Sequence, residues 1–297
     1  MPSLARLLAV SLCLLAASCG GEQADEGGGA RLKVVASFYP VAEAAGRIGG
    51  ERAEVVNLTP AGTEPHDLEL TPRQVDQLED ADLVLYLGRG FQPAVEEVAE
   101  RRGGAGLDVL EGLPLEKGAG QNGLDPHFWL DPVLMQQAVD RIQSGLSNIS
   151  PANRAEFERN AAAYRSELQA LHGEYERALS SCRRRELVTS HAAFHYLSDR
   201  YRLTQEPIAG LSPEAEPNPE RLSQLIDLVR RRNVTTVFYE TLVSPRVAQT
   251  LARNTGTKAA VLNPIEGLTD EEVRRGATYA SVMRENLTVL KDALGCG

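Results

Sequence analysis

PANRAEFERNAAAYRSELQALHGEYERALSS, residues 151–181, carries no proline after its first residue and places Phe157, Ala161, Tyr164, Leu168, Leu171, Tyr175 and Leu179 at steps of three or four. That spacing lines the apolar side chains along one stripe of an α-helix and predicts a single long amphipathic helix over 151–181. Its 31 residues at a rise of 1.5 Å would run about 46 Å, enough to brace two lobes as a stiff strut rather than a flexible hinge.

On both sides of this helix the chain repeats one kind of unit. Before it, Lys33–Phe38, Ala53–Leu58, Asp82–Leu87 and Leu107–Leu110 are short apolar runs rich in β-branched residues, which read as strands. Helix signals fall between them: Thr71-Pro72 offers a cap and a first-turn proline, and Phe91–Arg101 alternates apolar and acidic residues at helical spacing. After it, Leu187–Ser190, Val234–Tyr239 and Ala259–Leu262 read as strands, while Asn218-Pro219 and Ser244-Pro245 open helices. Strands alternating with helices imply parallel sheets. The expected fold is therefore α/β: an N-terminal lobe over 32–150, the linking helix over 151–181 and a C-terminal lobe over 182–297, with a cleft between the lobes.

The balance of 31 Lys and Arg against 41 Asp and Glu leaves a net charge of −10 over 297 residues, with no run of basic residues. An acidic surface repels phosphate backbones, so a nucleic-acid partner is not expected. Leu7–Ala17 is an apolar run behind a weakly basic start, too short to span a bilayer and of the right length for an export signal. Leu15-Ala16-Ala17-Ser18-Cys19 resembles a bacterial lipobox, which implies cleavage of residues 1–18 and lipidation of Cys19. Residues 19–31, rich in Gly and charge without apolar periodicity, then read as a flexible tether. The protein is expected outside the cytoplasm on a lipid anchor. With Cys13 removed and Cys19 lipidated, Cys182 and Cys296 remain; in an oxidising compartment they are expected to form a disulfide, the alternative being two separate buried thiols.

In open parallel sheets ligands bind outside the carboxyl ends of the strands, and three of the five histidines fall there. His66 lies in Gly62–Asp67 after the second strand, His127 in Asp125–Pro132 (DPHFWLDP), and His191 at the end of the first strand of the second lobe. Facing lobes would bring them together. Converging imidazoles favour a transition metal such as Zn(II) over Ca or Mg, which prefer oxygen. Candidates for a fourth ligand are Glu64, Glu240, Asn263 and Glu266. His172 reads as part of the long helix and His195 as a residue one turn into a helix following His191. Phe128 and Trp129 read as cleft-wall packing.

Six ordered blocks, GTEPHDLELTP (62–72), DPHFWLDP (125–132), VTSHAAFHYLSDRY (188–201), AGLSPEAEPNP (209–219), VFYETLVSP (237–245) and VLNPIEGLT (261–269), together resemble the metal-specific solute-binding proteins of ABC importers. This is the TroA-like family, and the resemblance is to its zinc-binding ZnuA and AdcA-like branch. It covers the chain from about residue 33 to its end. The resemblance implies capture of Zn(II) outside the membrane, delivery to a cognate permease, a monomer and no enzymatic activity. The family's three histidine ligands match His66, His127 and His191. Many relatives supply an Asp from an LDP motif where this chain has Asn263, a poor ligand; relatives reading LNPLEGL bind through the glutamate that matches Glu266 here. The expected ligand set is His66, His127, His191 and Glu266, with Glu240 orienting an imidazole and Glu64 or water in reserve. Zinc relatives often carry a His-rich loop before the second ligand, and residues 102–124 contain no His. Other readings are a manganese-binding importer component, a surface adhesin, and a metallohydrolase using Glu64 or Glu240 as base. Glu214, Glu216 and Glu220 form a charged loop, either simply solvated or in contact with the permease.

Overall fold

Four strands make the first sheet: β1 (Leu32–Ala36), β2 (Ala53–Asn57), β3 (Leu83–Tyr86) and β4 (Gly106–Asp108). The structure is a computed structural model that describes residues 30–115, 124–213 and 218–297. The expected signal, Cys19 and nearly all of the tether, part of the 102–124 segment, and Glu214 and Glu216 lie outside the described residues. The strands are all parallel in the order β2-β1-β3-β4, with Val34 opposite both Val55 and Leu83. Period-two alternation divides their side chains between two apolar layers. Val34, Ala36, Leu83 and Leu85 face the main core. Val35, Val84 and Tyr86 pack on the other face against Leu78, Val95 and Val98, which belong to α2 (Pro72–Asp80) and α3 (Pro93–Arg101). Thr71 and Gln74 close a capping box at the start of α2, as the Thr-Pro signal requires.

The second sheet repeats the pattern with β5 (Glu186–Thr189), β6 (Thr204–Pro207), β7 (Thr236–Tyr239) and β8 (Lys258–Val261), parallel in the order β6-β5-β7-β8. Each sheet thus changes winding direction beside its first strand, between β1 and β3 and between β5 and β7, which opens a crevice at the strand ends of each lobe. Strand β6, TQEP, is an edge strand with no aliphatic or aromatic side chain apart from its terminal proline, and hydrophobic patterning passes over it. Helices α1 (Tyr39–Gly49) and α10 (Tyr279–Leu294) were likewise not singled out by sequence pattern.

The linking helix is shorter than its periodicity suggests. Following α4 (Pro132–Ile149), residues Pro151–Asn153 form a 3-10 turn and α5 runs over Arg154–Leu179. Ser150 leaves the helical region at φ −135° and ψ 73°, so the proline starts a new turn instead of continuing α4. At the other end the Arg185 guanidinium donates to the carbonyls of Leu179 and Ser180, satisfying carbonyls that a terminating helix leaves open. The 26 residues of α5 span about 39 Å, and all seven stripe residues are buried.

One continuous apolar cluster joins the lobes, running from Leu85 through Phe157, Tyr164 and Tyr175 of α5 and Met283 of α10 to Phe194 and Leu197. The last two flank His195, which opens the short helix α6 (His195–Arg200), a turn earlier in its helix than expected. Hydrogen bonds cross the same seam. Trp129 Nε1 donates to the Pro264 carbonyl at 2.7 Å, Tyr196 Oη to that of Asp125 at 2.8 Å, and the Gly62 amide to that of Leu268 at 2.8 Å. Arg200 pairs with Asp131 at 2.7 Å. A Cβ at Gly267 would stand 3.4 Å from the Thr63 carbonyl oxygen and 3.2 Å from Leu242 Cδ1, so the two loops lie in van der Waals contact here. A seam this well bonded resists hinge opening. Helices α7 (Pro219–Arg231) and α8 (Arg246–Thr255) cover the outer face of the second sheet, and α9 (Asp270–Arg274) leads into α10.

Cys182 and Cys296 form a disulfide across 114 residues, tying the end of α10 to the start of the second lobe. Replacing both by Ala should lower the unfolding free energy by about 2–4 kcal/mol, measured by denaturant titration; an unchanged midpoint would mean the tie contributes nothing.

Candidate metal centre

Each histidine of interest sits where a strand or its following turn ends. His66 lies in the loop between β2 and α2, His127 just before the 3-10 turn Phe128–Leu130 that leads into α4, and His191 two residues beyond β5. Glu266 lies in the loop after β8. The structure brings these four together: one donor atom from each of His66, His127, His191 and Glu266 falls within 4.8 Å of the others. Glu266 Oε1 stands 3.1 Å from His191 Nε2, 3.2 Å from His127 Nε2 and 3.5 Å from His66 Nε2. His127, His191 and Glu266 are buried, and only His66, with 10% of its side chain exposed, touches the outside. His66 packs edge-to-face on Phe91 with ring centres 4.7 Å apart, and Trp129 backs His127 at 5.1 Å.

Carboxylates fix the outer nitrogens of two rings. His127 Nδ1 is 2.7 Å from Asp125 Oδ1, and His191 Nδ1 is 2.7 Å from Glu240 Oε1. An Nδ1–H donated outward leaves the Nε2 lone pair pointing inward, the arrangement by which metal-binding histidines are oriented. The Nε2 atoms of His66 and His127 are buried without a hydrogen bond of good geometry, an unsatisfied state that a cation among them would relieve. Three imidazoles and one carboxylate match the donors that Zn(II) takes in four-coordinate sites.

The electrostatics agree. Burial works against charging His191, but the Glu240 and Glu266 carboxylates override it and hold the imidazole well above its ordinary value. His127 is raised in the same way by Asp125 and Glu266. His66, whose burial dominates, is lowered. Burial alone would raise Glu266, yet the surrounding imidazoles hold it well below the usual carboxylate range. Glu64 is pushed up to about 8 by burial and then by the Glu266 charge, while it accepts the His66 backbone N–H at 3.2 Å.

The remaining sequence candidates are committed elsewhere. Asn263 Oδ1 accepts the Ile265 N–H at 2.7 Å and its Nδ2 donates to Glu272 Oε1 at 3.0 Å. His172 Nδ1 lies 3.1 Å from the Tyr201 hydroxyl, away from the cluster. Sequence reasoning passed over Asp125, although the signal was present: a carboxylate two residues ahead of His127 can bond both its backbone N–H, here at 2.9 Å, and its ring.

Fold and site together define a protein of two parallel α/β lobes with a buried cluster of three histidines and a glutamate that could hold a metal ion. Residues 34–293 match the family model described as ZnuA, zinc-uptake complex component A, periplasmic, and the chain belongs to that family. It is 36% identical over 302 residues to the zinc-binding lipoprotein AdcA of Streptococcus pneumoniae serotype 4, covering 96% of this chain and 60% of that protein. It is 35% identical over 308 residues to the high-affinity zinc uptake system protein ZnuA of Bacillus subtilis, covering 97% of each. The crystal structure of Zn(II)-bound AdcA from Streptococcus pneumoniae superposes with a TM-score of 0.78 at 37% identity, over 89% of this chain and 58% of that one. The chain thus spans about 60% of the pneumococcal relative's length.

The raised His191 carries a proton at pH 7 in the metal-free site, and that proton must leave Nε2 before a metal can bind; His66, lowered, has none to lose. Metal affinity should therefore rise with pH through neutrality and begin to fall above the ordinary imidazole value near 6.5 as acid is added. Calorimetry in buffers of different ionisation enthalpy should register proton release at pH 7; zero release would contradict the charge state.

Proposed function

We propose that this protein captures Zn(II) outside the cytoplasm through His66, His127, His191 and Glu266 and delivers it to a cognate ABC-type permease. The observation that carries the reading is the buried carboxylate of Glu266 facing three imidazole Nε2 atoms at 3.1–3.5 Å. Zinc takes this mixture of nitrogen and oxygen donors, whereas Mn(II) favours sites richer in carboxylate. Four protein donors fill a tetrahedron and leave no position for an activated water, which supports a carrier over a hydrolase. The zinc named in the descriptions of AdcA and ZnuA supports the same cargo. The 1–18 signal and Cys19 anchor belong to this reading, since the pneumococcal relative is a lipoprotein.

The shared core and the bonds across the seam favour release by local movement of a cleft loop over separation of the lobes. His66, on the only one of the four ligands with an open side, marks the loop where entry and release would occur.

Competitive titration of the metal-stripped protein should give one tight zinc equivalent that manganese does not displace. Glu266→Ala should weaken zinc binding by about 10–100-fold or more, given what even supporting groups at metal sites contribute; unchanged affinity would remove Glu266 from the ligand set. Small-angle scattering should give the same radius of gyration with and without zinc, and a large contraction would contradict rigid lobes.

A further inference from the structure

Ile265, the residue before Glu266, has φ +58° and is fully buried. A β-branched side chain is unfavourable in the left-handed region, so the surrounding structure must impose that conformation. The residues that do so centre on Asn263. Its Oδ1 accepts the Ile265 N–H at 2.7 Å, and its Nδ2 donates to Glu272 Oε1 at 3.0 Å. Its backbone is clamped by one amide of α10: Asn263 N donates to Asn286 Oδ1 at 2.9 Å, and Asn286 Nδ2 donates to the Asn263 carbonyl at 2.7 Å. The other Glu272 oxygen accepts from Thr269 N and Oγ1 at 2.8 and 2.9 Å, closing the capping box of α9. Asn263, Glu272 and Asn286 are all buried.

We propose that Asn263 is a positioning residue that presents Glu266 to the three imidazoles by holding Ile265 in the left-handed backbone, and that aspartate cannot take its place. The inference rests on the reading of Glu266 as a zinc ligand. Its physical basis is polarity. One end of the side chain must accept from Ile265 and the other must donate to a carboxylate, and an amide does both without taking up a proton. An aspartate keeps the acceptor but has no donor for Glu272. It places two buried carboxylates 3.0 Å apart at the Asn263–Glu272 contact, an arrangement that drives them apart or forces a proton onto one. Separation loosens the turn that carries Glu266, and forced protonation costs free energy in the conformation that presents it. The amide at 263 thereby selects a ligand three residues along the chain instead of serving as one.

The polarity can be reversed without changing shape. In Asn263→Asp/Glu272→Gln the new glutamine amide donates to the new aspartate, while its oxygen still accepts from Thr269, since a capping box takes Gln as readily as Glu. The experiment measures zinc affinity by chelator competition and the visible spectrum of the Co(II)-loaded protein, whose band intensity reports tetrahedral coordination. Asn263→Asp should weaken zinc by about 10–100-fold, the usual effect of losing a group that orients a metal ligand, and reduce the Co(II) bands. The double variant should restore both. A single variant that binds as wild type, or a double variant that binds as weakly as the single or does not fold, overturns the inference. If Asn263→Asp alone does not fold, the double variant decides. Glu266→Gln, measured in parallel, separates the two readings. If it alters neither affinity nor spectrum, the ligand assignment fails; if it weakens binding while Asn263→Asp does not, only the positioning role fails.

Discussion

The rest of the structure depends on a buried carboxylate that must meet a positive charge. Glu266 lies at the seam with almost no contact with water and faces three imidazoles at 3.1–3.5 Å. An isolated ionised carboxylate in such a place costs several kcal/mol, and protonated imidazole or a metal ion offsets that cost. In the metal-free protein the raised His191 supplies the charge. In the proposed reading a divalent ion would replace that proton with more charge held by fixed donors, so that cargo and proton would compete for one electrostatic vacancy. Asp125 and Glu240, behind His127 and His191, keep the Nε2 atoms turned inward whichever of the two is present.

This requirement explains why the scaffold is stiff. Donors come from both lobes, and their mutual distances survive only if the lobes keep one relative placement. A core running through α5 and α10 into both sheets, together with Trp129, Tyr196 and Arg200 reaching across the seam, holds that placement by packing and by hydrogen bonds at once. Rigidity fixes ligand geometry and leaves loops as the elements free to move. The His66 loop is pinned by the Gly62–Leu268 hydrogen bond yet is the part of the site nearest solvent.

Most of the fold was legible because its central strands β1, β3, β5 and β7 are largely buried on both faces and so read as β-branched apolar runs. Strand β6 was not, because an edge strand made of Thr, Gln, Glu and Pro has no hydrophobic pattern to detect. Periodicity placed the stripe of α5 correctly but overran its ends, which are decided by the non-helical Ser150 and by Arg185, neither of which affects the period. The histidines could be found by asking which ones follow strands. Asp125 carried a weaker signal, since Asp-Pro-His reads equally as an ordinary turn. The choice of Glu266 over Asn263 followed from resemblance and from the weakness of an amide as a ligand, while the left-handed Ile265 beside it is a conformation that a β-branched residue gives no reason to expect.

The central claim, that the three imidazoles and Glu266 together hold one zinc ion, is tested most directly by anomalous diffraction at the zinc absorption edge from crystals of the zinc-loaded protein. The account predicts a single strong peak about 2.0–2.2 Å from the Nε2 atoms of His66, His127 and His191 and from a Glu266 carboxylate oxygen. A peak elsewhere, or one ligated by Glu64, Glu240 or water in place of Glu266, would contradict it.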